Sequence, residues 1–138
     1  MPSQTSKRTR ASVLRDKVVI GLADGGHGPL IAELLKENGI ELPATDWSVV
    51  SKHWLVATVK DEVIGCVMVL PSMPIGFLEF LFVKASVPFK LRAIAVRKLA
   101  LQGAGTLMMA GCSLAFGTVS RQHPAWLEIL EKYGAVRA

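Results

Sequence analysis

Cysteine, tyrosine and acidic residues are all scarce in this chain. The two cysteines, Cys66 and Cys112, each sit in an apolar stretch with no Cys or His at ligand spacing. Neither a disulfide framework nor a thiolate metal site is expected from them. Buried, reduced thiols are the default for such residues, and they fit a reducing cytoplasm, whether of a cell or of an infected host. The three histidines, His27, His53 and His123, show no metal spacing and no adjoining nucleophile motif; turn or cap roles are expected. Residues Met1–Lys17 contain no apolar run, which excludes the core of a secretory signal. They read as a flexible basic tail ahead of one domain at residues 18–138. Full charge is absent between Lys98 and Arg121. That window could cross a bilayer, but Gln102, Gly103, Gly105, Gly111 and Ser113 interrupt it. A buried helix followed by a buried strand accounts for it without a membrane. No internal repeat or low-complexity segment is present.

What is there suits one folded domain. The chain has 138 residues, and 51% of them are hydrophobic, enough for a core without metal or disulfide staples and too apolar for disorder. Its net charge of +5 is uneven. Lys7, Arg8, Arg10, Arg15 and Lys17 form one group; Lys84, Lys90, Arg92, Arg97 and Lys98 form another. Such clusters suit a phosphate-bearing ligand, an anionic polymer or an acidic partner. Nucleic acid has no support beyond the basic tail.

Periodicity orders the elements. Val18–Leu22 is β-branched and aliphatic and predicts a strand. Pro29 opens a helix carrying Leu30, Ile31, Leu34 and Leu35, which Asn38-Gly39 stops. Glu41–Lys52 follows neither pattern. Trp54–Val59 and Val63–Leu70, joined by the charged turn Lys60-Asp61-Glu62, predict an antiparallel hairpin. Pro71–Gly76 reads as a loop, and Phe77–Val83 as an apolar strand broken by Glu79. A helix is predicted from Phe89 to about Ala110, capped by Gly111. The strand Leu114–Val119 follows, expected to be covered on both faces because it lacks charge. A last helix runs from Pro124 to Gly134, with Trp126, Leu127, Ile129, Leu130 and Tyr133 on its apolar side. Consecutive strands imply antiparallel pairing, and the strand–helix–strand unit at Phe77–Val119 implies a parallel crossover. The fold class is α/β, a mixed sheet flanked by helices.

Three places could carry chemistry. At Val83–Arg97 a strand runs into a helix start crowded with cations. Cations are mildly unfavourable at a helix N-terminus unless an anion docks there, and phosphate is the usual anion; otherwise these side chains reach solvent. Gly25-Gly26-His27-Gly28 sits between a strand and a helix, but its spacing fails the dinucleotide pattern and leaves a turn. Gln102-Gly103-Ala104-Gly105, inside a helix, permits close packing. Glu79 is costly to bury unpaired. It is either a general base with raised pKa or a strand-end residue turned to water. Trp47, Trp54 and Trp126 read as packing residues.

The order of these elements resembles the GNAT acetyltransferases from Val18 to Val136. The hairpin WLVATVKDEVIGCVMVLP looks like the family's second and third strands. GFLEFLFVKASVPFKLRAIAVRKLAL looks like its fourth strand, pyrophosphate loop and third helix. LAFGTVSRQHPAWLEILEKYGAV looks like its fifth strand and fourth helix. The resemblance implies transfer of an acetyl group from acetyl-CoA to an amine, with the acceptor unspecified. In that family the fourth and fifth strands splay, and the unpaired edge of the fourth binds pantetheine as an added strand would. Carried over, Leu81, Phe82 and Val83 face pantetheine. Ser86, Lys90, Leu91, Arg92 and Ala93 form the phosphate loop, and Glu79 stands near the usual base. The loop, from Val87 to Ala93, lacks the family's glycines and is similar to those of small bacteriophage-encoded members. Leu130 stands where the family's tyrosine acid is usual, and Tyr133 lies one residue before Gly134. The family's last two strands are missing after Ala138, which makes a homo-oligomer that completes the sheet attractive. A non-catalytic interaction protein, such as a virion or assembly component, is the alternative function.

Overall fold

Alternation of apolar residues decides the centre of the molecule. Along Trp54–Val59 (β2), Trp54 and Val56 turn to one side of a sheet while Leu55 and Ala57 turn to the other, and all four are buried. That is the signature of a strand covered on both faces. A computed structural model describes residues 10–43 and 45–118, together with Glu128 and Glu131.

In chain order the remaining elements are α1 (Arg10–Lys17), β1 (Val19–Leu22), a 3-10 turn (Gly25–His27), α2 (Gly28–Glu37) and α3 (Trp47–Val50). After β2 come β3 (Glu62–Ser72), β4 (Ile75–Val83), α4 (Phe89–Met109) and β5 (Leu114–Gly117). The sheet order is β1-β2-β3-β4-β5. Pairing is antiparallel from β1 to β4 and parallel between β4 and β5. This is the mixed sheet with a parallel crossover that the sequence predicts.

Two cores sandwich the sheet. On one side α4 lays down Ala95, Val96, Leu99, Gly103 and Leu107, a stripe at helical spacing. It meets Val18, Leu55, Ala57, Val67, Val69 and Val83. Gly103 is where helix and sheet approach closely, since a Cβ there would lie 2.6 Å from Leu78 Cδ2. Of the two glycines in the stretch inside this helix, Gly103 therefore serves packing, whereas a Cβ at Gly105 would meet nothing within 4 Å. On the other side α2 places Ile31, Leu34 and Leu35 against Trp54, Val56, Cys66 and Phe82. Trp47 meets Trp54 edge-on at 6.1 Å between ring centroids, so both tryptophans pack as expected; Trp126 lies outside the described residues.

Several sequence expectations need adjusting. The glycine segment after β1 is a turn organised by Asp24, which accepts from Gly26 N–H at 2.8 Å while its own N–H donates to His27 Nδ1 at 3.0 Å. The unassigned stretch before β2 contains α3, capped by Asp46 accepting from Ser48 N–H. Lys60 and Asp61 alone make the β2–β3 turn, at φ 50° and 66°, and Glu62 already pairs with Val59. The loop expected over 71–76 shrinks to Met73-Pro74, because Ser72 pairs with Ile75 and Pro71 with Gly76. The C-terminal part of the segment read as a tail forms α1. Lys98 on α4 holds its end, donating to the Arg15 carbonyl and, at 2.7 Å, to the Val18 carbonyl. A cation is favourable against the free carbonyls of a helix C-terminus.

The charge-free window after Lys98 divides between α4, a turn at Gly111 (φ 95°) and β5. Among the described residues no helix is long and apolar enough to cross a membrane. β5 is not covered on both faces: Leu114 is 53% and Phe116 48% exposed. Its lack of charge goes with edge pairing to β4 rather than with burial. The helix predicted over 124–134 and its Leu130 and Tyr133 lie outside the described residues, apart from the helical Glu128 and Glu131.

Candidate functional site

Of the expected site residues, β4 carries Glu79, Leu81, Phe82 and Val83, and α4 carries Lys90, Leu91, Arg92 and Ala93. On one edge β4 pairs with β3 from Ile75 to Val83, and on the other with β5 only from Ile75 to Leu78. Beyond Leu78↔Gly117, no strand among the described residues pairs with 79–83 on the β5 side. The strand also changes shape at that point. Cys66 pairs with Phe82 and Met68 with Glu79, so two residues of β4 oppose the single Val67. This is a β-bulge, and Phe80 within it has φ 56°. A bulge bends its strand and increases local twist, and this one falls just past Leu78, where the described pairing of β4 with β5 ends; that point is the fork.

Phe80 contains no clue to this conformation in its residue type, since positive φ is rare for a bulky side chain. It is held by stacking on Trp54, with centroids 6.0 Å apart, and by contact with Phe82 at 6.4 Å. Behind it, Cys66 Sγ donates to the Phe80 carbonyl at 3.7 Å. Cys66 is free and buried, as is Cys112. Burial pushes the Cys66 thiol from 9.0 up to about 12, against a smaller opposing pull from a backbone hydrogen bond with Phe82.

The expected ligand residues sort into two groups. Leu81 and Val83 pack into the α4-side core and Phe82 into the α2-side core; a ligand at the fork would meet their backbone, not their side chains. Leu91 and Ala93 likewise pack against the α4-side core. Ser86 and Lys90 are exposed. The Arg92 guanidinium lies 5.7 Å from the Phe89 ring centroid, a cation–π arrangement beside the helix start. Pro88 is the N-cap of α4 and supplies no side-chain cap. Two of the cations grouped here by sequence are engaged elsewhere. Lys98 holds α1, and Lys84 Nζ bonds Glu62 Oε1 at 3.2 Å.

Glu79 sits at the crotch of the fork, half-buried. It lies across β3 from Met68, which in turn pairs with Trp54. Its Oε2 accepts from Thr118 Oγ1 at 2.7 Å. By strand alternation it shares a face with Phe77, whose ring stacks on Phe116 at 6.4 Å. The carboxylate is thus neither unpaired nor simply turned to water. One contact escaped sequence reasoning entirely: Glu37, at the end of α2, accepts from Ala85 N–H at 2.9 Å and fixes the loop between β4 and α4. A separation of forty-eight positions hides such a pair from any local pattern. A groove of about 520 Å³ lies between α1, β1 and α4, lined by Asp16, Val18, Ile20, Arg97 and Gln102. No residue of β4 lines it, and it holds no cluster of groups suited to catalysis. No group of His, Cys, Asp and Glu among the described residues could hold a metal ion.

The architecture is the GNAT acetyltransferase fold. Among solved structures, diaminobutyrate acetyltransferase from Paenibacillus lautus, in complex with L-2,4-diaminobutyric acid and coenzyme A, matches with a TM-score of 0.68 and 17% identity. That match covers 84% of this chain and 74% of the other. An aminoglycoside acetyltransferase from an uncultured soil metagenomic sample, in complex with sisomicin, matches at 0.65 with 13% identity over 91% of this chain and 92% of its own. N-acetylglutamate synthase from Neisseria gonorrhoeae, complexed with coenzyme A and N-acetyl-glutamate, matches at 0.64 with 19% identity over 80% of this chain. This chain spans only 27% of that protein's length. No protein-family model and no curated protein sequence matches the chain.

Proposed function

We propose that this chain transfers an acetyl group from acetyl-CoA to an amine. The observation that carries the proposal is the fork: among the described residues no strand pairs with 79–83 on the β5 side, that edge leads to the start of α4, and a carboxylate stands where the described pairing ends. An unpaired strand edge offers alternating N–H and C=O groups to an amide-containing chain, and pantetheine is such a chain. The α4 amides with Lys90 and Arg92 suit a pyrophosphate. Two of the similar proteins described above were crystallised with coenzyme A.

In this scheme the acceptor nitrogen uses its lone pair to form a bond to the acetyl carbon. The thioester C–S bond breaks, and the sulfur leaves with that electron pair and takes a proton from solvent. Glu79 Oε1 accepts the proton released by the nitrogen, directly or through a water. The residues of this chain orient the two substrates and move one proton, effects that position and acid–base catalysis supply. The stacked rings of Phe77 and Phe116 beside Glu79 present an apolar wall to the acceptor. A reducing cytoplasm is the compartment proposed for a chain whose cysteines are both buried and free.

Thermal unfolding with added acetyl-CoA tests the proposal. Ligand at a hundred times its Kd stabilises by about 2.7 kcal/mol, so the midpoint should rise by several degrees. No rise at millimolar acetyl-CoA would count decisively against it. The second function, a non-catalytic interaction protein, is favoured by the apolar surface that Met73, Met108, Met109, Leu114 and Phe116 expose. A protein that ignores acetyl-CoA yet self-associates through the β5 edge would establish that function instead.

A further inference from the structure

Glu79 owes its place to the strand beside it. Gly117 is the last residue of β5 to pair with β4, opposite Leu78. A Cβ at Gly117 would lie 2.8 Å from the Leu78 carbonyl oxygen. Backbone atoms cannot give way as a side-chain end can, so only glycine lets the two strands approach this closely at the mouth of the fork. The next residue on each strand is thereby brought across the gap. These are Thr118 and Glu79, joined from Oγ1 to Oε2 at 2.7 Å.

We propose that Thr118 is a positioning residue for Glu79. The inference rests on the acetyl-transfer function proposed above. A glutamate's terminal torsion is broad and roughly two-fold, so a carboxylate held only by its backbone swings among orientations. The Thr118 hydroxyl occupies Oε2 and leaves Oε1 as the oxygen that takes the amine proton. It reaches Glu79 from β5, the strand on the opposite side of the fork from β3. Closure of β5 on β4 at Gly117 and orientation of the base are therefore one event. The sequence offers no hint of this, since a Gly-Thr pair after a short apolar run resembles any strand end.

The test compares Thr118→Val, Thr118→Ser, Glu79→Gln, Gly117→Ala and the Thr118→Val/Glu79→Gln double variant with the parent protein. Release of CoA thiol from acetyl-CoA is followed with L-2,4-diaminobutyrate and sisomicin as acceptors, and with water alone. Glu79→Gln should lower kcat by roughly 10²- to 10⁴-fold, the span of a general base. Thr118→Val, nearly isosteric but without the hydroxyl, should lower kcat about tenfold and leave the KM for acetyl-CoA unchanged. Thr118→Ser should recover most of that loss, and Gly117→Ala should reproduce it. In the Glu79→Gln background Thr118→Val should add nothing, because the group it positions is gone. Parental kcat in Thr118→Val beside an inactive Glu79→Gln overturns the positioning role and leaves the base in place. An equal loss from Thr118→Val in both backgrounds, or a loss that serine does not recover, also overturns it. Full activity in Glu79→Gln overturns the base itself. Absence of all turnover, in a parent protein whose melting midpoint acetyl-CoA does raise, overturns the catalytic function on which the inference rests.

Discussion

The two halves of β4 are made of the same kind of residue and do different work. Ile75–Leu78 reads Ile-Gly-Phe-Leu and pairs on both edges; 80–83 reads Phe-Leu-Phe-Val and, among the described residues, has only β3 beside it. Side-chain chemistry does not separate them, because both halves are apolar and each sends side chains into a core, Leu78 from the first and Leu81, Phe82 and Val83 from the second. The difference lies in the backbone: one half spends its hydrogen-bonding groups inside the sheet, and the other has no described strand on its β5 side. A ligand that binds through such an edge leaves no motif of its own. What betrays it is the pair of features that end the pairing, the bulge at Phe80 on β4 and the close approach at Gly117 on β5.

The comparison can be sharpened first at the open half. Replacing Lys90 and Arg92 together with alanine should weaken acetyl-CoA binding about 100-fold, since each charge-assisted hydrogen bond to phosphate is worth about 1.5 kcal/mol or more. Titration calorimetry reads this directly, and an unchanged Kd would move the phosphate site away from α4. The closed half answers to packing instead. Gly103→Val drives a side chain into Leu78 and should cost about 2 kcal/mol by overpacking, seen as a lower urea midpoint. An unaltered midpoint would mean that α4 does not rest on β4 as closely as described. The smallest effect concerns the single edge that backs the open half. The Cys66 thiol is held up to about 12 when folded, against 9.0 ordinarily. Below pH 9 both the folded and unfolded thiol keep the proton, and nothing is gained or lost. Above it the unfolded state releases the proton and the folded state retains it, so stability falls as pH rises from 9 towards 12. By pH 10 the loss is about 1 to 2 kcal/mol. Melting curves across pH 8–10 should show it in the parent protein and not in Cys66→Ala.

Most of the fold was legible in advance. Strand β2 falls on the predicted residues, and the start of α4 at Phe89 follows from Pro88 and the change from two-fold to helical periodicity. The proposed site was legible in part. Glu79 stood out as a charge in an apolar run, and Lys90 as a cation at a helix start. Thr118 and Glu37 did not stand out, because each acts on a partner tens of positions away. Lys98 misled for the same reason in reverse. It sits near the helix start in sequence, but nine residues past Phe89 the helix has turned it towards α1. The expected two-sided cover of β5 failed because absence of charge cannot distinguish a buried strand from an edge strand with an apolar exposed face.

Phe80 has a further implication for how this chain can change. A non-glycine residue at positive φ costs about 1–2 kcal/mol of backbone energy, and glycine would remove that cost. Glycine would also delete the ring that stacks on Trp54 and touches Phe82. The fork is therefore maintained by an aromatic trio rather than by one permissive residue. Divergent relatives should vary Trp54, Phe80 and Phe82 as a set, or exchange all three for a smaller core with a glycine at position 80. A relative that keeps the tryptophan and loses only the Phe80 ring would carry a hole beside the bulge.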